Sequence, residues 1–267
     1  MFRSLSLIVS LVLIIGLSSC SKFNKLLKND DHEYKYERAV EYFDKGDFYH
    51  ALQLFDQIMP VFKGTDKAER LNYFYAQSYY QQEDFIMASY YFKKFAKEFP
   101  RSEHADEAAF LSAYCKYKES PKYSLDQTNT MDAIKELQVF LNIHSESKFS
   151  AQCNDLIDEL RAKLEKKEFE IANLYLKMSD YRAAITSYSG LLKNYPDTEY
   201  KELAMFRLIK ANYIYASKSI PEKQSERYQL AVEAYDSFIV YFAQSELAAD
   251  ATDMYEKSRK QLSLLSK

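Results

Sequence analysis

Glycine and proline are scarce in this chain, 4 and 5 among 267 residues. Tight turns and β-hairpins draw on both residues, so a fold of many short strands lacks its turn chemistry. The glycines stand at 16, 46, 64 and 190. That spacing builds no phosphate-cradling loop, dinucleotide fingerprint or Gly-x-Ser-x-Gly elbow. The three cysteines, Cys20, Cys115 and Cys153, form no Cys-x-x-Cys, which argues against a zinc ribbon or a redox pair. His32, His50, His104 and His144 are scattered singly, none in a His-Glu-x-x-His or His/Cys ligand spacing, and read as surface residues. A basic excess is missing too: 36 Lys and Arg against 39 Asp and Glu leave a net charge of -3. No electrostatic footprint for nucleic acid exists. Carboxylates are abundant, but acids on helices are normally solvated and nothing marks one as desolvated. The expectation is therefore a chain with no catalytic residues, no metal and no cofactor.

What is present is apolar and aromatic. Hydrophobic residues make up 47%, with 24 Tyr and 18 Phe, enough for one extended array or two small units of packed helices. The first residues read as a secretory signal, with Arg3 as the positive flank and Leu5 to Leu17 as an apolar run too short to span a bilayer comfortably. It ends in Leu17-Ser18-Ser19-Cys20, which resembles the lipobox of bacterial lipoproteins. Residues 1–19 are then a signal peptide and Cys20 the acylated first residue of the mature chain; an ordinary cleavage site is the plainer alternative. Several acyl chains, at ~0.8 kcal/mol per buried CH₂, make such an anchor effectively permanent. Ser21 stands where aspartate signals inner-membrane retention in some lipoproteins, favouring the outer membrane. Residues 20–32 read as a tether whose Phe23, Leu26 and Leu27 form a short amphipathic patch. Cys115 and Cys153 are expected as buried free thiols, with a bridge between them as the alternative.

From Glu33 onward a block recurs five times: a helix carrying a small residue, a short turn, and a second helix carrying Ala with an aromatic or leucine four residues on, closed by Pro in the best copies. The second-helix alanines are Ala51, Ala88, Ala133, Ala184 and Ala231; first-helix alanines include Ala76, Ala113, Ala172 and Ala211. Alanine lets antiparallel helices approach closely, and the aromatic fills the space between hairpins. The second and fourth copies are cleanest, ending at Pro100 and Pro196. The third and fifth carry about eight extra residues between their alanines, read as loops around Ser120-Pro121 and Ile220-Pro221. Residues 247–265 read as a capping helix. The predicted fold is all-α: a tetratricopeptide-repeat solenoid of five hairpins and a C-terminal cap. Repeats 1–3 occupy 33–150, and repeats 4–5 with the cap occupy 151–267. Lys163 to Glu170, rich in alternating charge, reads as the solvated start of the fourth copy's first helix.

Counting three before and four after each first-helix small residue gives one face. Its members are Tyr36 and Phe43, Tyr73 and Tyr80, Phe110 and Tyr117, then Phe169 and Leu176, Leu208 and Tyr215. The ring-rich first three pairs could line a groove for an aromatic-bearing peptide; packing between helices is the plain alternative.

Several stretches sharpen the reading: Lys35-Tyr36-Glu37, the segment YYFKKFAKEFP ending at Pro100, Ala113-Tyr114-Cys115 followed by Ser120-Pro121, Leu160 to Glu165, and Asn194-Tyr195-Pro196-Asp197-Thr198. With the lipobox and the five repeats, the chain resembles the BamD family of lipoproteins from the outer membrane β-barrel assembly machine. The resemblance covers nearly the whole chain, although the first, third and fifth copies lack the closing proline. It implies a lipid-anchored scaffold on the periplasmic face of the outer membrane. The groove from Tyr36 to Tyr117 would meet unfolded outer membrane proteins. Phe169, Leu176, Leu208 and Tyr215 would meet the POTRA domains of a BamA-like subunit. A repeat lipoprotein that coordinates the envelope or division through a Tol-type or peptidoglycan partner is the alternative, and a nutrient-binding lipoprotein a more distant one.

Overall fold

A computed structural model describes residues 22–266, so the signal segment and Cys20 lie outside the described residues. Among the described residues all regular structure is helical. A short helix α1 (22–27) precedes α2 (His32–Asp44), α3 (Phe48–Ile58), α4 (Lys67–Gln81), α5 (Phe85–Glu98), α6 (Ala105–Lys118) and α7 (Thr128–Ile143). Then come α8 (Ser150–Lys177), α9 (Tyr181–Asn194), α10 (Lys201–Ser217), α11 (Pro221–Phe242) and α12 (Ala248–Leu265). Paired from α2 to α11 they are the five expected hairpins, and α12 is the expected last helix.

The turns within hairpins explain why the pairing is local. In copies one, two and four the first helix closes in the same way: Asp47, Asp84 and Asp180 N–H groups donate back to the carbonyls of Tyr42, Tyr79 and Tyr175, at 2.9, 3.0 and 3.0 Å. The residue before each aspartate, Gly46, Glu83 or Ser179, sits at a φ of 77°, 60° or 62°. This is the left-handed C-cap geometry that satisfies a helix's last carbonyls. Each aspartate then accepts from the N–H three residues on, that of His50, Met87 or Ala183, and starts the second helix. One tripeptide ends one helix and caps the next.

Packing follows the alanines. Ala51, Ala88, Ala133, Ala184 and Ala231 are all fully buried, as are Ala39, Ala76 and Ala172 in first helices. A side chain of one carbon lets facing backbones close to the short end of helix packing distances. Beside them, Phe55, Phe92, Leu137, Tyr188 and Phe238 are largely or wholly buried and fill the hairpin interiors. Cys115 and Cys153 are free and buried; burial pushes their thiols up to about 12 and about 11.

The chain divides into two compact units. The first holds the described residues up to Ser120 together with Thr128–Ile157; the second holds Pro121–Gln127 and everything from Asp158 onward. In the first, Phe23, Leu54, Phe55, Ile58, Phe62 and Leu71 form one core, and Tyr73, Phe92, Phe95 and Cys115 another. In the second, Phe169, Tyr188 and Leu191 make one core and Met205, Ile209 and Phe238 the next.

Three sequence expectations need correction. The extra residues of the fifth copy are not a loop: Pro221 occupies the first turn of α11, and the segment lengthens that helix to 22 residues. Proline is well placed there, because the missing N–H would have had no intrahelical partner. In the third copy residues 119–127 do form a loop, pinned by Gln127 donating to the carbonyls of Lys122 and Leu125 at 2.8 and 3.0 Å. The charged run Lys163 to Glu170 starts no helix, because α8 begins at Ser150. Nor is it wholly solvated: Lys167 donates to the Leu125 carbonyl, the Lys166 ammonium lies 4.8 Å over the Tyr123 ring, and Phe169 is buried. Finally, residues 22–27 are no loose tether. Phe23 and Leu26 lie on one side of α1 and are both buried in the core of the first hairpin.

Candidate protein-binding surfaces

The residues three before each first-helix alanine share one role. Tyr36 packs against Phe62, Tyr73 stacks on His104, Phe110 on Phe149 and Phe169 on Tyr200, with ring centroids 5.6, 4.2, 4.4 and 4.4 Å apart. Each partner lies in the turn that leads into the next hairpin. These rings are joints between repeats, three stacked and the Tyr36–Phe62 pair tilted, each a ring contact added to its buried area. Tyr73, Phe110 and Phe169 are buried, and burial pushes the Tyr73 phenol up to about 12. Their stacked faces are therefore used inside the fold, although Tyr73 and His104 also line a cleft of about 420 Å³ with Arg70, Phe74 and Glu103.

The residues four after the alanine stay half-exposed. Phe43 stacks on Phe74 at 4.2 Å, Tyr80 lies edge-on to Phe85 and Phe92, and Tyr117 runs parallel to Tyr114 at 5.6 Å. Leu176 is likewise half-buried, against the core of the fourth hairpin. Cations decorate this row: the Arg70 guanidinium stands 4.8 Å from the Phe74 ring centre and the Lys118 ammonium 5.5 Å from that of Phe85. The six expected groove residues thus separate into three with partly open edges and three used as joints, with Tyr36 the least buried of the joints.

In the fifth copy the register is one residue off the expected one. Helices α2, α4, α6 and α8 end at Asp44, Gln81, Lys118 and Lys177, each five residues after its alanine. Counting back five from Ser217, the end of α10, gives Asn212 and not Ala211. Ala211 and Asn212 are both buried, but Ile209, three before Asn212, is fully buried in a core with Phe238 whereas Leu208 is only half-buried. The adjacent pair Ala211-Asn212 hid this, as alanine matches the pattern better than asparagine. Leu208 therefore faces elsewhere, and Tyr215, half-buried, has the Arg227 guanidinium 3.8 Å from its ring centre.

Leu208 lines a cleft of about 380 Å³ in the second unit. Ile185 and Leu192 of α9 form one wall, Met205, Leu208 and Asn212 of α10 the floor, and Leu230 and Ala234 of α11 the other wall. Glu233 adds a single carboxylate, and Leu230 is 45% exposed at its edge. This is an apolar socket with few polar groups, suited to an aliphatic side chain of another protein.

The first unit has a larger cleft at the corresponding place, between α3 and α5 over α4, of about 570 Å³. Its lining is different. The Tyr75 hydroxyl donates to the Asp56 carboxylate and lies 3.2 Å from the Tyr79 hydroxyl, and the Tyr75 and Tyr91 rings meet edge to face at 4.6 Å. Burial, with Asp56 beside it, pushes the Tyr75 phenol well above the ordinary range, so it stays a donor. Lys63, Lys94 and Glu98 also line the cleft. Phenol, carboxylate, ammonium and ring faces together can hydrogen-bond a peptide backbone and pack its side chains. No sequence count pointed to Tyr75 or Asp56; the one available signal was that Tyr75 immediately precedes the alanine of its helix.

A family model described as YfiO, outer membrane lipoprotein, matches residues 28–229. Among curated proteins the chain is 25% identical over 236 residues to the "Putative outer membrane protein assembly factor BamD" of Aquifex aeolicus (strain VF5), covering 87% of this chain and 76% of that protein. It is 22% identical over 196 residues to the "Outer membrane protein assembly factor BamD" of Pasteurella multocida (strain Pm70), covering 69% and 74%. Among solved structures, the crystal structure of the P58(IPK) TPR domain aligns with 89% of this chain and 68% of its own, at 16% identity and a TM-score of 0.40.

Proposed function

The chain belongs to the YfiO family of outer membrane lipoproteins, whose model spans residues 28–229, and from that premise we propose that it is a non-catalytic scaffold for assembling β-barrel proteins into the outer membrane. The family match carries the reading, since it runs from just after α1 through the first four hairpins and into α11. The curated relatives support it by being named as assembly factors.

The two clefts supply a division of labour. The first unit binds unfolded barrel substrates through the polar, ring-walled cleft at Tyr75 and the open edges of Phe43, Tyr80 and Tyr117. The second unit docks the POTRA domains of a BamA-like subunit through the apolar socket at Leu208 and Leu230, with Leu176 and Tyr215 as further half-exposed candidates. Phe169 has no docking role, because its ring is buried at a joint. Cys20 carries the covalent lipid, and the folded part faces the periplasm.

Depletion of the protein in its host tests the reading most directly: folded barrels in the outer membrane should fall while their unfolded precursors accumulate. Pull-down from solubilised envelope should recover a POTRA-bearing barrel protein. Unchanged barrel levels, with recovery only of Tol-type or peptidoglycan partners, would overturn it.

A further inference from the structure

Very little chain separates Cys20 from the folded protein. Phe23 is buried, with its ring 5.6 Å from that of Tyr42 and 4.1 Å from that of His50, the residues flanking the turn of the first hairpin. Leu26 is buried in the same core. At the far end of α1, the Leu27 carbonyl accepts from the Lys35 ammonium at 3.0 Å, and that buried lysine also donates to Gln57 Oε1 at 2.7 Å. Segment 22–27 is thus fixed to the first hairpin at both ends. Three residues of extended chain span at most about 11 Å, so a lipid on Cys20 leaves the turn of the first hairpin no freedom to move far from the bilayer.

The side of α1 turned away from Phe23 and Leu26 carries charge of one sign. Lys22, Lys25 and Lys28 recur every three residues and are all exposed. Polar pairs nearby are made by other residues, Arg38 and Lys45 with Glu41, Lys67 of α4 with Glu33, and the His50 ring with the Asp47 carboxylate at 2.7 Å. Two carboxylates follow the lysines in sequence, Asp30, which is exposed, and Asp31, whose carboxylate accepts from the Tyr34 N–H as the cap of α2. Tyr49, 65% exposed, has its ring 5.5 Å from that of His50, which in turn packs on Phe23.

We propose that Lys22, Lys25 and Lys28, with Tyr49 near the same end, form a docking face that seats the first hairpin on an anionic phospholipid surface. The inference rests on the lipid anchor proposed for Cys20. Ammonium groups within a Debye length of an anionic leaflet are each held by it, and tyrosine favours the headgroup level. The shortness of the chain before Phe23 sets the lysines at that depth. The anchor then does more than localise the protein, because it presents the first hairpin to the membrane by one defined side.

The test uses the acylated full-length chain with Asp44→Cys labelled by a fluorophore; the other two thiols are buried and their raised pKa keeps them unlabelled. It is reconstituted in vesicles of phosphatidylcholine alone or mixed with phosphatidylglycerol, each containing a headgroup-quencher lipid. Quenching should be stronger with phosphatidylglycerol and should weaken with salt. At about 5-fold per lysine, the docked fraction ratio should fall on the order of 100-fold in the Lys22→Gln, Lys25→Gln, Lys28→Gln triple variant, with circular dichroism unchanged. Equal quenching in both vesicles, or no change in the triple variant, overturns the proposal. Mass spectrometry reports acylation separately. An unacylated chain that still floats with phosphatidylglycerol vesicles through the three lysines would remove the anchor and keep the docking face.

Discussion

The two units are built from the same hairpin but joined by different chemistry. In the first, every repeat joint is a pair of rings, Tyr36 with Phe62, Tyr73 with His104 and Phe110 with Phe149, and the cleft over α4 is walled by Tyr75 and Tyr91. The second keeps one such joint, Phe169 with Tyr200, and then puts the aliphatic Ile209 in the ring's place, in a core shared with Phe238 and with Leu247 of the turn before α12. Its cleft is correspondingly aliphatic. One helical frame therefore carries a polar aromatic surface in one half and a plain apolar socket in the other. What differs between the two clefts is the side chains that line them, Tyr75 and Tyr91 in the first and Ile185, Leu208 and Leu230 in the second.

The largest expected effect tests whether the units are energetically separate. Ala88→Glu and Ala184→Glu each place a carboxylate where two helices touch, a loss of about 4 kcal/mol or more. Hydrogen exchange should show Ala88→Glu deprotecting residues of the first unit and Ala184→Glu those of the second. Loss of protection across the whole chain from either one would merge the two.

Next in size, the joints can be compared directly by denaturant unfolding. Phe110→Ala should cost about 3–5 kcal/mol and Ile209→Ala about 2–4 kcal/mol, whereas Leu208→Ala, in an open cleft, should cost under about 1.5 kcal/mol. A larger loss for Leu208 than for Ile209 would restore Ala211 as the repeat position and undo the register described for α10.

Alkaline pH should separate the units more gently. Cys115, Cys153 and Tyr73 in the first unit have folded values near 12, 11 and 12, above the ordinary 9.0 for thiols and 10.0 for phenols, mainly through burial. In the second unit Tyr200 is raised to about 12 and no thiol is present among its described residues. Groups raised in the folded state hold more protons there, so the stability they contribute is intact below pH 9 and is lost as pH climbs towards 12. By pH 10 the first unit should lose about 3 kcal/mol, mostly through its two thiols, and the second under about 1 kcal/mol, read as hydrogen-exchange protection after correction for intrinsic rates. Equal loss in both units would mean that the thiols do not matter.

The smallest effect should be the same in both halves. Glu83 and Ser179 hold the left-handed turn position that glycine fills at Gly46. Glu83→Gly and Ser179→Gly should each raise stability by up to about 1 kcal/mol, relief of strain outweighing the added freedom of the unfolded chain. A melting temperature that falls in either variant would show that the turn is unstrained.

Sequence alone determined the helical class, the five hairpins and the buried alanines, because each depends on residues within a dozen positions: a small residue where helices touch, an aspartate that caps, an aromatic one turn on. The family resemblance was legible for the same reason, the repeat being a local unit. Three things were decided only in three dimensions. Whether Tyr73 or Phe110 faces solvent depends on a ring in the next turn, and the spacing within one helix carries no record of that partner. Whether Ala211 or Asn212 marks the fifth repeat depends on which helix end lies beside which. Phe23 and Leu26 look like part of a tether until the core of the first hairpin offers them a place, since burial is a property of the neighbours that a segment meets and not of the segment itself.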